Sequence, residues 1–251
     1  MAEDSRPPGS QAVVRALRVL HCFRDHGPEL GATDLGRLLD LRTSTAHRLA
    51  RTLVAEGFLE QDGATSRYRL GAAVAELGQA LYRHRGLYRV EPLMESLAEA
   101  TGTSPGLAIR SGERAVVVAG EAVDPEAGIG VYIPLHASAM GKVLMAWDPG
   151  FDTSGLGELA ALTENTITDP ARLAEVLVRV RADGYATNDR EITPYKRTVA
   201  VPLVDELGQV RMALALRADA GSLPPERFAE LAEVAKEFAP AFQRLLLRPS
   251  V

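Results

Sequence analysis

Cysteine is almost missing from this 251-residue chain: Cys22 stands alone. A lone cysteine excludes an intramolecular disulfide and points to a reducing compartment. No apolar run approaches the roughly 20 residues that a membrane-spanning helix requires, so no membrane partner is expected and the cytoplasm is the expected location. The opening MAEDSRPPGS lacks the basic-then-apolar pattern of a secretory signal, and residues 1–10 are read as a disordered leader. The five histidines and single cysteine are scattered without metal-ligand spacing. Glycine falls at turns and helix ends, not in a phosphate-cradling loop. These absences predict no metal, no cofactor and no catalytic residue. Asp and Glu are also absent over Arg42 to Ala55, in the stretch that organises the rest.

That stretch, RTSTAHRLARTLVAEG, reads as one amphipathic helix. Ala46, Leu49, Ala50, Leu53 and Val54 recur at helical spacing and form an apolar face. At about 100° per residue, Ser44, Arg48 and Arg51 point the other way, flanked by Thr45, His47 and Thr52. Thr43 or Ser44 is placed to cap its start, and Gly57 to stop it in a left-handed conformation. A helix anchored by one face, with Ser, Thr, His and Arg on the other and no acid to screen them, suits the major groove of DNA. An ordinary solvated face has the same composition, so the neighbouring elements decide.

Those neighbours form a pattern. Gln11 to His26 predicts a first helix with Val13, Ala16, Leu17, Leu20 and Phe23 on one stripe, ended by Gly27-Pro28. Thr33 is expected to cap a short second helix with Asp34 in its first turn and Leu35, Leu38 and Leu39 inward. The brief connection Asp40 to Arg42 then makes a helix-turn-helix. Residues 58–61 and 67–70 are strand-like runs around the turn 62–66, a hairpin wing that presents Arg67 and Tyr68. Net charge supports the split: residues 1–71 hold 10 basic and 9 acidic side chains, and residues 72–251 hold 18 and 24.

Residues 72–87 predict a linking helix whose narrow stripe, Val74, Leu77 and Leu81, suits packing against one partner helix or against its own chain. Beyond Tyr88, helices and strands alternate. Val90 to Thr101 is helical. Strands follow at 104–110, 115–121 and 129–135, a helix at 138–147, and a helix opened by Asp169-Pro170. A hairpin over 199–204 and 210–217 precedes a terminal helix after Pro224-Pro225. A mixed sheet flanked by helices is expected, an α+β fold. His136, Ser138 and Lys142 invite a nucleophile reading because Ser and Lys four apart share a helix face. Ser138 also stands at the helix N-cap, where its hydroxyl would take backbone N–H groups. Asp124-Pro125-Glu126 reads as a solvated acidic loop, and Cys22 as a core filler.

The order QAVVRALRVLHCF, LGATDLGRLLDLRTSTAHRLARTLVAEGFLEQ, SRYRLGAAVAELG closely resembles the IclR (isocitrate lyase regulator) family of bacterial transcription factors. LHASAMGKVLMAW, NTITDPARLAEVLVRVRADGYATNDRE and RTVAVPLVDELGQVRMALALRA extend the resemblance over nearly the whole chain. It implies a winged helix-turn-helix at 11–71, a linker helix at 72–88 contributing to dimerisation, and a GAF-like effector-binding domain at 89–251. The implied partners are a pseudo-palindromic double-stranded DNA operator, a small organic, acidic metabolite, and further copies of the chain as homodimer or homotetramer. DNA contact is expected from Arg42, Thr43, Ser44, Thr45, His47, Arg48, Arg51, Arg67 and Tyr68, with His47 either touching DNA or packing on the wing. The family's ligand positions fall on Ala139, Met140, Asn188, Thr198, Ala215 and Arg217.

The chain departs from the family pattern at several of these points. Ala215 is apolar where acids, thiols or hydroxyls are usual. Arg217 is cationic, either facing an anionic ligand or ending its strand in solvent. Pro194-Tyr195-Lys196 replaces a usual glycine, with Tyr195 placed to narrow the pocket. The competing reading is a small-molecule sensor whose first domain docks protein and reads no DNA.

Overall fold

The computed structural model describes residues 10–120, 130–148, 150–153 and 156–247. Residues 1–9 of the expected leader, the acidic loop at Asp124-Pro125-Glu126 and the start of the strand expected from Ile129 lie outside the described residues, whereas Ser10 is helical. The chain divides into two compact units, Met1–Leu81 and Tyr82–Val251.

In the first unit, α1 (Ser10–Asp25), α2 (Ala32–Leu39) and α3 (Thr43–Ala55) precede a hairpin of β1 (Leu59–Gln61) and β2 (Tyr68–Leu70). One core joins them, built from Val19, Cys22, Phe23, Leu35, Ala46, Leu49, Ala50, Leu53, Leu59 and Tyr68. The apolar face read for α3 is the face that is buried. The stripe read for α1 holds only in its second half: Val13 and Leu17 are 61% and 53% exposed, and Val19 and Cys22 join Phe23 in the core instead. The first turns of α1 reach past that core.

The helix starts differ from the reading in both cases. α2 begins from Gly31, whose N–H is held by the Asp34 carboxylate at 2.9 Å, and Thr33 is exposed within the first turn. α3 begins from Arg42 with no side-chain cap. Asp40, in the left-handed region at φ 53°, turns the chain sharply enough that Leu41 N–H meets Gly36 C=O at 2.8 Å. The helix therefore starts one residue early, and Thr43 and Ser44 fall inside it with exposed side chains. Gly57 stops it as expected, at φ 74°. α4 (Ala72–His84) follows; none of its residues is buried, and Leu77 and Leu81 are 59% and 42% exposed.

In the second unit, α5 (Glu91–Thr101), β3 (Ser104–Ser111), β4 (Arg114–Gly120), β5 (Tyr132–Pro134) and α6 (Ala139–Ala146) lead to α7 (Pro170–Asp183). β6 (Ala186–Asp189), β7 (Lys196–Val204), β8 (Val210–Asp219) and α8 (Phe228–Leu246) complete it. The six strands run in the order β5-β4-β3-β8-β7-β6, and every recorded pairing is antiparallel. The sheet is thus not mixed as expected: each neighbour is reached by a hairpin or a return across the sheet, which reverses direction. Strict alternation sends Val199, Val201, Leu203, Met212, Leu214 and Leu216 into one core with Leu97, Leu231 and Phe242 of α5 and α8. The other face carries small residues, Ala108, Ala115, Ala200, Ala213 and Ala215, under α6 and α7. The bulk on this side comes from the helices, through Met140, Met145, Leu173 and Leu177.

Candidate DNA interface and ligand site

The outward face of α3 is set by the burial of its apolar face: Ser44, His47, Arg48, Arg51 and Thr52 are exposed, as are Arg42 and Thr43, and Thr45 is half-buried. The arginines of the first unit divide into two sets. Arg37 and Arg67 pair with Asp34, Arg69 with Glu60 at 3.0 Å, and Arg24 with Asp25 at 2.7 Å. Arg15 and Arg18 of α1, and Arg42, Arg48 and Arg51 at α3, have no ion pair among the described residues. The last three stand where the acids are missing, so their charge is uncompensated locally. The start of α3 adds to this, since its first N–H groups lack a side-chain cap and the helix dipole is positive there.

The wing is tied to the body through its root. Tyr68 exchanges backbone hydrogen bonds with Leu30 at 2.9 and 3.0 Å. Arg67 donates to Glu29 C=O at 2.8 Å and to Asp34 at 3.2 Å. Tyr68 is fully buried, and its hydroxyl lies 2.9 Å from His47 Nδ1. These two residues therefore differ from the sequence expectation in position: Tyr68 is part of the core, and Arg67 braces the wing against α2. The His47 imidazole is held between α3 and the wing, which is the packing role expected as one of its two alternatives. The Gly31 N–H, and then the nearby Arg67 and Arg37, hold the Asp34 carboxyl below its ordinary range, while burial raises the Tyr68 hydroxyl.

In the second unit the register of the sheet assembles residues that are far apart in sequence. Asn188 pairs with Thr198, Thr198 with Arg217, and Arg217 with Ser104, forming one polar row across β6, β7, β8 and β3. The adjacent row on the same face is Ala186, Ala200, Ala215 and Gly106. By alternation, Thr198 and Arg217 share the face of Ala200 and Ala215, which α6 covers. Arg217 is 4% exposed, Asn188 3% and Thr198 4%, so Arg217 lies inside and not at a solvated strand end. Ala139 and Met140, at the start of α6, are buried above the same face. All six positions carried over from the resemblance thus lie on one side of one sheet.

α6 is fixed at its start. The Ser138 hydroxyl accepts from Gly141 N–H at 2.9 Å and donates to Pro134 C=O at 2.6 Å, which commits it to capping. Gly141 has no alternative: a Cβ there would lie 2.3 Å from Leu135 O and 2.6 Å from Ser138 Oγ. The Lys142 ammonium turns away from Ser138. It donates to Thr187 C=O at 3.0 Å and to the Glu191 carboxylate, and its side chain is 3% exposed. Burial pushes the Lys142 pKa down and the Glu191 pKa up, each opposed by the partner's charge. Asn188 Oδ1 accepts from Glu191 N–H at 2.7 Å, which couples this ion pair to the polar row.

Glu191 was missed in the sequence. Its signal was the Asp189-Arg190-Glu191 run at the end of β6, a strand too short and too polar to stand out. Tyr195 is 61% exposed and does not narrow the site. A separate cleft of about 450 Å³, lined by Tyr132, Pro134, His136, Met145, Phe151 and Leu159 among others, contains none of the row residues.

Residues 12–63 match the family described as the IclR helix-turn-helix domain, and residues 79–244 that described as bacterial transcriptional regulator IclR C-terminal. The chain is similar to the HTH-type transcriptional regulator BhcR of Paracoccus denitrificans, 33% identical over 247 residues covering 95% of this chain and 87% of the relative. It is similar to the HTH-type transcriptional regulator XynR of Escherichia coli K12, 31% identical over 259 residues covering 97% of this chain and 100% of the relative. Among solved structures, an IclR transcriptional regulator from Alicyclobacillus acidocaldarius superposes with a TM-score of 0.78 at 25% identity, covering 93% and 98% of the two chains. An IclR homolog from Microbacterium hydrocarbonoxydans, complexed with 4-hydroxybenzoate, superposes with a TM-score of 0.73 at 26% identity, covering 94% and 98%.

Proposed function

Because this chain belongs to the IclR family of bacterial transcriptional regulators, we propose that its α3 reads an operator through Ser44, Thr45, Arg48 and Arg51, and that its polar row holds a small acidic metabolite. As a family member the protein is a ligand-responsive, DNA-binding regulator. The observation that carries the DNA assignment is the division of the arginines. The cations left without acid partners among the described residues of α3 are the ones on its outward face. Arg48, near the middle of that face, is assigned to a base edge, Ser44, Thr45 and Arg51 to bases or phosphates, and Arg42 and Thr43 to phosphates. His47 takes part through its remaining ring nitrogen. Arg67 and Tyr68 act by holding the wing and His47 in place, so their contribution to DNA binding is positional.

Arg217 supplies the positive charge of the ligand site, with the Asn188 amide and the Thr198 hydroxyl beside it and Ala139, Met140 and Ala215 as its apolar walls. A guanidinium suits a carboxylate because it offers two parallel N–H donors. The neighbour solved with 4-hydroxybenzoate supports an acid of that size. The role is binding without catalysis, since Ser138 and Lys142 are engaged in capping and in an ion pair. Two copies of the chain are proposed to place two α3 helices on half-sites about one helical turn apart, or a multiple of it. The exposed Leu77 and Leu81 of α4 offer a surface for that pairing. A ligand that binds one arrangement of the copies more tightly then changes DNA affinity by the difference.

Fluorescence anisotropy on the promoter region flanking the protein's own gene, against a scrambled duplex, tests both parts. Specific binding is expected, lost on Arg48→Ala and shifted by at least one carboxylic acid. A shift that persists unchanged in Arg217→Gln would refute the ligand assignment. Equal affinity for every duplex, in wild type and Arg48→Ala alike, would favour a protein-docking role for the first unit.

A further inference from the structure

The buried ion pair beside the polar row has one bonding position left on each partner. An ammonium carries three N–H donors. Lys142 uses two, toward Thr187 C=O and one oxygen of Glu191. The other carboxylate oxygen, Glu191 Oε2, is buried and accepts no hydrogen bond, and nearby Thr193 Oγ1 is equally buried and unpartnered. Leaving such groups unsatisfied in a protein interior is costly, most of all for a charged group. Native cores rarely carry them without a reason.

We propose that Lys142 and Glu191 recognise a hydroxyl group on the effector, so that the ligand is a hydroxylated carboxylic acid. The proposal rests on the reading that the Asn188–Thr198–Arg217 row receives the acid. A hydroxyl oxygen accepts from the third Lys142 N–H while its O–H donates to Glu191 Oε2. A single atom thereby fills both positions. A keto oxygen only accepts, and leaves Oε2 bare. An ammonium only donates, and brings a second positive charge against Lys142. A methylene does neither.

The pair stands close enough to the row to act on the same molecule. Asn188, the row's end residue, holds Glu191 N–H at 2.7 Å. Two strand spacings, roughly 10 Å, separate its backbone from that of Arg217. With side chains reaching inward from both ends, that span suits a short acid or a single ring. The ion pair itself is overall neutral, so its presence near the row adds selectivity for a dipole and leaves the attraction for a carboxylate to Arg217.

Titration calorimetry on the full-length protein decides this, using acids matched except for one group. The panel is propionate, pyruvate, alanine and lactate; phenylacetate, phenylglyoxylate, phenylglycine and mandelate; and benzoate with 4-hydroxybenzoate. In the series that fits, the hydroxylated member is expected to bind at least about tenfold tighter than the others, since a site built for a hydroxyl rejects analogues lacking it. The double variant Lys142→Met/Glu191→Gln should erase that preference, so that the hydroxylated and plain acids of the series bind alike. Equal binding of hydroxylated and plain acids in every series that binds, or a preference that survives in the double variant, overturns the proposal while the acid reading stands. Binding by no acid at all, with operator binding intact, overturns both. If the double variant does not fold, the wild-type series decide alone.

Discussion

The two units display their candidate functional side chains in opposite ways. In the first, a helix buries one face and leaves Ser44, Arg48 and Arg51 in solvent, where charge acts over distance and no partner is needed to hold it. In the second, Asn188, Thr198, Arg217, Lys142 and Glu191 are all nearly inaccessible, and each polar group depends on a neighbour. The surface site is therefore tolerant, because removing one side chain disturbs little else. The interior site is coupled, because removing one charge strands another. The lesson is that a residue's cost to the fold and its value to the function separate in the first unit and coincide in the second.

The largest expected effect breaks the coupling directly. Lys142→Met alone should destabilise the protein by about 3–5 kcal/mol in urea unfolding, since it leaves a carboxylate buried without its cation, whereas Lys142→Met/Glu191→Gln should be close to neutral. Equal losses would mean that the pair is not coupled. Gly141→Ala comes next: forcing a Cβ against Leu135 O should cost about 1–3 kcal/mol and weaken effector binding, with operator affinity in the absence of ligand unchanged.

In the first unit, Arg48→Ala should leave the melting temperature unmoved and cost about 1–3 kcal/mol of discrimination between operator and scrambled DNA. A uniform loss over all sequences, with a shallower salt dependence, would reassign it to phosphate. Tyr68→Phe removes one buried hydrogen bond to His47 and should cost about 0.5–1.5 kcal/mol of stability, together with a smaller loss of operator affinity.

The smallest effect is pH-dependent. The Asp34 carboxyl is held below its ordinary pKa by the Gly31 N–H, then by Arg67 and Arg37. A depressed acid stabilises the fold above its unfolded pKa of about 3.8 and loses that contribution as pH falls through the lower folded value. The protection of α2 and wing amides against hydrogen exchange, taken relative to the unfolded-chain rate at each pH, should fall on acidification below about pH 4, and Asp34→Asn should flatten that response.

The helix-turn-helix was legible because its evidence is local. The buried face of α3, its stop at Gly57 and the hairpin at 59–70 follow from spacing and turn chemistry within a few residues. The Ser138 and Asp169 caps were readable for the same reason. The first unit also shows where local reading fails. Thr33, Thr43 and Ser44 have the right chemistry for caps, and the tight turn at Asp40 together with the reach of Asp34 to Gly31 displaced them. β6 was not legible, since Ala-Thr-Asn-Asp has little strand character and is held by pairing with β7.

What the sequence alone determined is the order of elements, the face that α3 buries, and the concentration of uncompensated arginine on α3, all properties of neighbours along the chain. The resemblance to a family placed six candidate ligand positions without saying how they meet. Only the tertiary structure decided that Asn188, Thr198, Arg217 and Ser104 form one row, that Lys142 faces Glu191, and that Arg67 and Tyr68 serve the wing's attachment. Helical periodicity is fixed by 3.6 residues per turn and can be counted. Strand register is fixed by pairing between distant segments, and a slip of one residue would turn every side chain to the opposite face.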